Sequence, residues 1–173
     1  MKKKKVFLID TSAILSGKPL VLDGVMVTTP LVEKEFSPGG RGYRILQFLL
    51  ESGLEVRSPS KKMFKIVEEA ASDTGDIGSL SPADKELLAL ALELRNMDED
   101  VTILTDDYSI QNTASQLGIE FKSITQHGIT KKFKWIWRCR GCGMVFTERI
   151  KACPRCGSEV KRIPKCRETL RTW

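Results

Sequence analysis

Aspartates follow two of the apolar runs in this chain, at the point where each run ends. Asp10 comes directly after residues 6–9, and Asp106 and Asp107 come directly after residues 101–105. Runs of this kind are typical of buried parallel strands, whose carboxyl ends form the functional edge of an open α/β sheet. Carboxylates gathered there repel one another unless a cation lies between them, and oxygen ligands favour Mg²⁺ or Mn²⁺. Such a site suits hydrolysis of a phosphodiester.

A second group of reactive residues lies near the end of the chain. Two Cys-X-X-Cys pairs are separated by ten residues and consist of Cys139, Cys142, Cys153 and Cys156. Four thiolates at this spacing predict one tetrahedral, structural Zn²⁺ ion, and Gly141, Gly143 and Gly157 are expected to form the tight turns around it. Zinc binding would supply folding energy that so small a core lacks. Cys166 is predicted to be a free thiol.

Alternating strands and helices are expected to position the acids. The predicted strands are residues 6–9, 25–28, 54–57, 101–104 and 119–122. The predicted helices are residues 43–50, 61–71, 87–94 and 110–117, the last ending at Gly118. This order predicts an α/β fold with a parallel sheet flanked by helices, plus a small C-terminal zinc ribbon. Residues 37–42 and 72–81 are predicted loops, and the second is expected to be mobile.

Each acid near the predicted sheet edge also has a purely structural explanation. Asp10 is able to cap a helix, and Asp84 fits a capping box with Ser81. Asp106 and Asp107 fit a turn. Glu33 and Glu35 fit a solvated surface. The joint pattern favours a site, because two acids follow buried strands and others open helices.

Four motifs resemble those of the PIN-domain ribonucleases over about residues 5–125. They are Ile-Asp-Thr-Ser at 9–12, Thr-Pro-Leu-Val-Glu-Lys-Glu at 29–35, Leu-Ser-Pro-Ala-Asp at 80–84 and Leu-Thr-Asp-Asp-Tyr-Ser-Ile-Gln-Asn at 104–112. Matched position by position, the acids of that family's pocket are Asp10, Glu35, Asp84 and Asp107. Glu35 is preferred to Glu33 because an apolar residue, Phe36, follows it. Asp106 stays open as a further member of the catalytic group.

The resemblance implies a metal-dependent endoribonuclease. One or two Mg²⁺ or Mn²⁺ ions held by these acids, Asp10 and Asp107 among them, would activate water and stabilise the leaving oxygen. No general-base histidine is required. The chain has a single histidine, His127, outside the motifs, which excludes a two-histidine ribonuclease mechanism.

The charge of the chain is unevenly distributed. Residues 1–125 hold 15 Lys and Arg against 19 Asp and Glu, a balance of −4, whereas residues 126–173 hold 13 against 3, a balance of +10. A basic segment beside an acidic domain indicates a nucleic-acid partner. The predicted RNA-binding residues are Lys131, Lys132, Lys134, Arg138 and Arg140. Trp135 and Trp137 are equally suited to stacking on bases or to packing the ribbon.

The predicted division of the chain is a nuclease domain at 1–125, a linker at 126–134, a zinc ribbon at 135–160 and a basic tail at 161–173. This combination is similar to the Nob-type endonucleases of ribosome biogenesis, and the compact chain resembles their archaeal members. The resemblance implies cleavage of precursor small-subunit ribosomal RNA at its 3′ end, within pre-ribosomal particles.

Two other functions remain open from the sequence. A toxin-type PIN ribonuclease is disfavoured by the ribbon, and a non-catalytic RNA-binding assembly factor is disfavoured by the presence of all four matched acids. Apolar stretches are too short for a membrane helix or a signal peptide, so we expect a cytoplasmic location without a membrane partner.

Overall fold

The computed structural model describes residues 3–20, 22–124 and 131–169, and the side chains of residues 131–135 and 164–169 lie outside that description. The strands in the described residues are β1 Lys5–Ile9, β2 Val25–Thr28, β3 Glu55–Val56, β4 Asp100–Leu104, β5 Glu120–Lys122, β6 Lys131–Cys139, β7 Val145–Phe146 and β8 Val160–Thr169. The helices there are α1 Thr11–Leu15, α2 Pro30–Lys34, α3 Arg41–Glu51, α4 Lys61–Thr74, α5 Pro82–Asn96 and α6 Tyr108–Leu117.

The first five strands form one parallel sheet in the order β3-β2-β1-β4-β5. β1 lies at its centre, and Val6, Leu8 and Ile9 are fully buried, as expected for a strand covered on both faces. The register pairs Ile9 with Leu104, so Asp10 leaves the sheet beside the end of β4. The prediction of an α/β fold with a parallel sheet and flanking helices is confirmed.

Helix α5 is the most deeply buried helix of those described. It contacts α2, α4, α6 and β4, and its buried face includes Leu87, Leu88 and the small residues Ala89 and Ala91. The sequence predicts that the capping box at Ser81 opens the helix containing residues 87–94, and this is confirmed: α5 begins at Pro82. The box places Asp84 in the first turn.

The segment 72–81 differs from the mobile loop that its composition predicts. Ser72 and Thr74 complete α4, which ends at Gly75 in the left-handed conformation with φ +79°. Asp76 follows and is buried, with its backbone nitrogen donating to Ala71 O at 2.8 Å. A left-handed glycine cap lets the chain turn back onto the helix, so the segment is ordered by its own backbone hydrogen bonds.

The remaining strands form an antiparallel sheet in the order β7-β6-β8. From here on, the ribbon means this sheet together with the four cysteines at positions 139–156. β6 begins at Lys131, inside the segment expected to be a linker, and β8 covers residues expected to be a tail. β6 and β8 form strands because each provides the backbone hydrogen-bond partners of the other. Pro164 is tolerated because β8 is an edge strand. Within the described residues, no helix has the length and apolar character needed to cross a membrane.

Candidate functional site

Three aspartates lie at helix N-termini near the carboxyl edge of the parallel sheet. Asp10 caps α1, and Asp107 caps α6 by accepting from Ser109 N at 2.6 Å. Asp84 forms the predicted capping box with Ser81, whose backbone nitrogen donates to Asp84 Oδ2 at 2.7 Å. Asp10 and Asp84 therefore have the helix-capping roles that the sequence predicted. The same hydrogen bonds hold their carboxylates near the carboxyl edge of the sheet.

Two hydroxyl groups hold the buried Asp10 carboxylate, which is 3% exposed. Ser12 Oγ donates to Asp10 Oδ2 at 2.6 Å, and Thr105 Oγ1 donates to the same oxygen at 2.7 Å. Each hydroxyl also accepts from the backbone after β4: Asp106 N reaches Ser12 Oγ at 2.9 Å and Asp107 N reaches Thr105 Oγ1 at 3.0 Å. The hydroxyls thereby tie the end of β1 to the end of β4.

The charges of the three aspartates affect one another. Burial, together with the negative charges of Asp10 and Asp107, raises the pKa of Asp84 to about 6. Burial also raises the pKa of Asp10, against the hydrogen bonds from Ser12 and Thr105. The charges of Asp10 and Asp107 therefore act on Asp84, and we call these three carboxylates at the sheet edge the acidic pocket. A cation placed among them would relieve their repulsion.

Each aspartate of this pocket is fixed through one carboxylate oxygen. The hydrogen bonds from described residues go to Oδ2 of Asp10, Oδ2 of Asp84 and Oδ1 of Asp107. The second oxygen of each is left to other ligands. An oxygen-only donor set of this kind fits Mg²⁺ or Mn²⁺.

Glu35 lies at the end of α2, where it is exposed and accepts a hydrogen bond from the Thr11 hydroxyl. Since Thr11 follows Asp10, this contact places Glu35 on the rim of the pocket. Glu33 lies within α2 and is half-buried. The start of α2 is held by a contact that the sequence did not reveal, from Leu31 N to Glu86 Oε2 at 2.8 Å.

Asp106 and Asp107 face different partners. Asp106 Oδ1 accepts from the Ser123 hydroxyl and from Ile124 N, the latter at 2.9 Å. Asp106 thus secures the chain after β5, whereas Asp107 contributes to the charge around Asp84. The geometry separates two residues that the sequence left as alternatives.

Other residues of the pocket escaped sequence reasoning. Ser12 and Gln111 stand within the quoted motifs, but the sequence pattern assigns neither of them a role in the pocket. Gln111 is 1% exposed and donates to Thr105 O at 2.9 Å, which holds the end of β4. A glutamine four residues after Asp107 is the available sequence signal.

The four cysteines form a compact group. Cys139 Sγ lies 3.4 Å from Cys156 Sγ, Cys142 Sγ lies 3.6 Å from Cys153 Sγ, and all four sulfurs are within 4.8 Å of one another. Sulfurs each about 2.3 Å from one zinc ion would lie about 3.8 Å apart in a tetrahedron, so the group fits zinc. Among the described residues, three or more such ligands converge this tightly at these cysteines alone.

The glycines around the cysteines have two separate roles. Gly143 and Gly157 adopt positive φ, +73° and +71°, as their predicted turns require. Gly141 instead permits a close approach, because a Cβ there would lie 2.4 Å from Ser158 Oγ and 3.3 Å from Cys156 Sγ.

Arg138 and Arg140 are the two predicted RNA-binding residues whose side chains the structure describes. Arg138 is exposed, and Arg140 is exposed and paired with Glu159 at 3.4 Å. Trp137 packs against the ribbon core beside Phe146, with the Arg149 guanidinium 5.9 Å from its ring centre, so packing is its observed role. The side chains of Lys131, Lys132, Lys134, Trp135 and Cys166 lie outside the described residues.

Comparison with known proteins agrees with this architecture. Residues 7–94 match the family described as the PIN domain of ribonuclease. The chain is 44% identical over 157 residues to ribonuclease VapC1 of Thermoplasma acidophilum, covering 91% of this chain and 77% of that protein. It is 41% identical over 165 residues to endoribonuclease Nob1 of Archaeoglobus fulgidus, covering 94% and 95%, and 41% identical over 169 residues to endoribonuclease Nob1 of Pyrococcus abyssi, covering 95% and 98%.

The chain therefore belongs to the PIN-domain ribonuclease family. Its similarity to the Nob1 proteins extends over nearly the whole chain. The predicted resemblance to Nob-type PIN-domain endoribonucleases is confirmed.

Proposed function

We propose that this protein is a metal-dependent endoribonuclease that cleaves precursor small-subunit ribosomal RNA at its 3′ end. The observation that carries the proposal is the meeting of Asp10, Asp84 and Asp107 at the carboxyl edge of the sheet. Full-length similarity to endoribonuclease Nob1 supports the reaction class. The ribosomal substrate rests on the resemblance of the whole chain to the Nob-type endonucleases.

We assign the catalytic group to Asp10, Glu35, Asp84 and Asp107. Asp10 and Asp107 would be the principal ligands of Mg²⁺ or Mn²⁺, since they follow the adjacent strands β1 and β4 at the carboxyl edge of the sheet. A bound divalent cation supplies a Lewis acid that polarises the phosphate and lowers the pKa of water. Thr105 and Ser12 orient Asp10, and the Thr11 hydroxyl orients Glu35. Asp106 is assigned to holding the chain after β5.

We assign RNA binding mainly to the ribbon. The positive balance of residues 126–173, about +8 after four thiolates and one Zn²⁺ contribute −2, complements the phosphate backbone, whereas the acidic domain at −4 repels it. Lys131, Lys132, Lys134, Arg138 and Arg140 are the proposed phosphate contacts. The proposed partners are precursor small-subunit ribosomal RNA and the pre-ribosomal particle that contains it.

The test is cleavage of a short RNA spanning the 3′ end of small-subunit ribosomal RNA, in the presence of Mn²⁺. We expect one dominant cut with the wild-type chain, none with Asp10→Asn, and strong loss with Glu35→Gln. Glu33→Gln is the matched control, since it removes the same charge from the same segment and should leave cleavage intact.

The same assay separates the alternatives. Equal cleavage of the ribosomal RNA and of an unrelated single strand would favour a general PIN ribonuclease. Tight RNA binding without any cleavage by the folded, metal-supplied protein would favour a non-catalytic assembly factor and contradict the proposal.

A further inference from the structure

An arginine of the zinc ribbon contacts the nuclease domain close to the acidic pocket. Arg162 in β8 donates from Nη2 to Gly75 O at 2.6 Å and to Asp76 Oδ1 at 3.2 Å. Its Nη1 donates to Ser79 Oγ at 3.1 Å. The Asp76 side chain is 3% exposed, and that of Arg162 is 30% exposed. One guanidinium therefore joins three acceptors of the segment between α4 and α5.

Asp76 connects this arginine to the helix that carries a pocket acid. Its second oxygen, Oδ2, accepts from Asn112 Nδ2 at 2.5 Å, and Asn112 is itself buried. Asn112 lies five residues after Asp107 on α6, about 7.5 Å along the helix axis. Asp76 O accepts from Leu80 N at 3.1 Å, directly before the capping box that holds Asp84.

A second contact between the two parts of the molecule is independent of Arg162. Strand β6 of the ribbon lies against both α4 and α6. The ribbon therefore rests on the two helices that Asp76 joins, and one of them, α6, is capped by Asp107.

We infer that Arg162 is a positioning residue that docks the zinc ribbon onto Asp76, so that RNA held by the ribbon is presented to the acidic pocket at a fixed place. The inference rests on the proposed function. A charged partner stabilises the buried Asp76 carboxylate, and the planar fork of arginine satisfies several acceptors at once, which lysine does not. Docking removes the orientational freedom that a strand bound by a loosely attached ribbon would retain.

The matched pair of variants is Arg162→Gln and Lys161→Gln in the full, zinc-loaded chain. Each removes one positive charge from β8, but Lys161 is the exposed neighbour of Arg162 and makes none of its contacts with Gly75, Asp76 and Ser79. Zinc content and thermal melting establish that each variant folds. Arg162→Lys, which keeps the charge and lacks the fork, replaces Arg162→Gln if the latter loses zinc, with the same expected direction.

The first measurement is ¹⁵N relaxation of backbone amides and needs no RNA. In the wild type and in Lys161→Gln, amides of the parallel sheet and of the ribbon should report one rotational correlation time. In Arg162→Gln the ribbon amides should report a shorter time than the sheet. A single correlation time in a folded Arg162→Gln protein would overturn the docking role. This result does not depend on whether the protein cleaves RNA.

The second measurement is the rate of cleavage at saturating RNA. Arg162→Gln should lower kcat for an RNA long enough to reach the ribbon by about tenfold or more, because a displaced strand reaches the acids less often. Lys161→Gln should leave kcat unchanged. A trinucleotide, too short to contact the ribbon, should be cleaved equally by all three proteins. Equal kcat values on the long RNA would overturn the positioning role even if docking is confirmed.

Discussion

The acidic pocket and the zinc ribbon are built in opposite ways. The pocket takes acids from positions 10, 35, 84 and 107 and rests on the large core around β1, β4 and α5. The ribbon takes its four ligands from residues 139–156, and among its described residues Cys139, Cys153 and Val160 form the buried centre. We therefore expect the fold to hold the pocket in place, and we expect the ribbon to need zinc in order to fold. Loss of a metal should have different consequences in the two places.

The largest expected effect is loss of the ribbon fold on loss of zinc. Replacing both Cys153 and Cys156 by Ser should unfold the ribbon, because structural zinc contributes on the order of 10 kcal/mol to so small a domain. The parallel sheet should remain folded, as followed by amide chemical shifts of β1 and β4. Cys166→Ser, which removes a thiol outside the four ligands, should leave both parts intact. Unfolding of the parallel sheet in the double variant would contradict the proposed difference between the pocket and the ribbon.

The next effect separates two adjacent aspartates of the pocket. Asp107→Asn should lower RNA cleavage by at least about 100-fold, because a metal ion contributes several kcal/mol to charge stabilisation in the transition state. Asp106→Asn should lower it much less, because Asp106 is bonded to Ser123 and Ile124. Single-turnover rates at saturating Mn²⁺ measure the difference. Equal losses in two folded variants would place both acids at the metal.

A smaller effect concerns RNA affinity rather than cleavage. Replacing Lys131, Lys132 and Lys134 by Ala should reduce the slope of log affinity against log salt by about 2, since each single-strand phosphate contact contributes about 0.7. The control replaces three exposed lysines of α4, namely Lys61, Lys62 and Lys65. Affinity titrations at several salt concentrations measure both. A larger loss in the α4 variant would move the RNA anchor away from the ribbon.

The smallest expected effect comes from removing one of the hydroxyl groups that donate to Asp10. Thr105→Val removes the hydroxyl that donates to Asp10 and accepts from Asp107 N, at a cost of about 1–3 kcal/mol in the free energy of unfolding. Cleavage should fall in parallel, because Asp10 loses one of its two hydroxyl partners. Thr105→Ser keeps the hydroxyl and should restore both properties. Denaturant unfolding and cleavage rates measure the pair, and a Ser variant as impaired as Val would assign the effect to packing.

The sequence predicted those features whose residues lie close together along the chain. The capping box at Ser81, the glycine end of α6 and the Cys-X-X-Cys pairs are all written within a few positions, and each is confirmed. The meeting of Asp84 with Asp10 and Asp107 depends on how α5 packs. The pattern of acids after strands and at helix starts suggested a site there. The resemblance to the PIN-domain ribonucleases indicated which acids belong to it.

The segment 72–81 shows why the remainder was not predicted. Its Ser, Asp and Gly content is typical of a mobile loop, and nothing nearby distinguishes Asp76. Its burial depends on Arg162, 86 residues later, and on Asn112, 36 residues later. A buried ion pair between distant segments has no local signature, so it appears only once both parts of the chain are placed.

Selective removal of the pocket metal tests the central claim most directly. Mg²⁺ or Mn²⁺ on carboxylates exchanges far more readily than zinc on four thiolates, so mild EDTA treatment should abolish RNA cleavage while one zinc per chain remains by atomic emission. Added Mn²⁺ should restore the rate. Cleavage that continues after all divalent ions except the ribbon zinc are removed would contradict a metal-dependent acidic pocket.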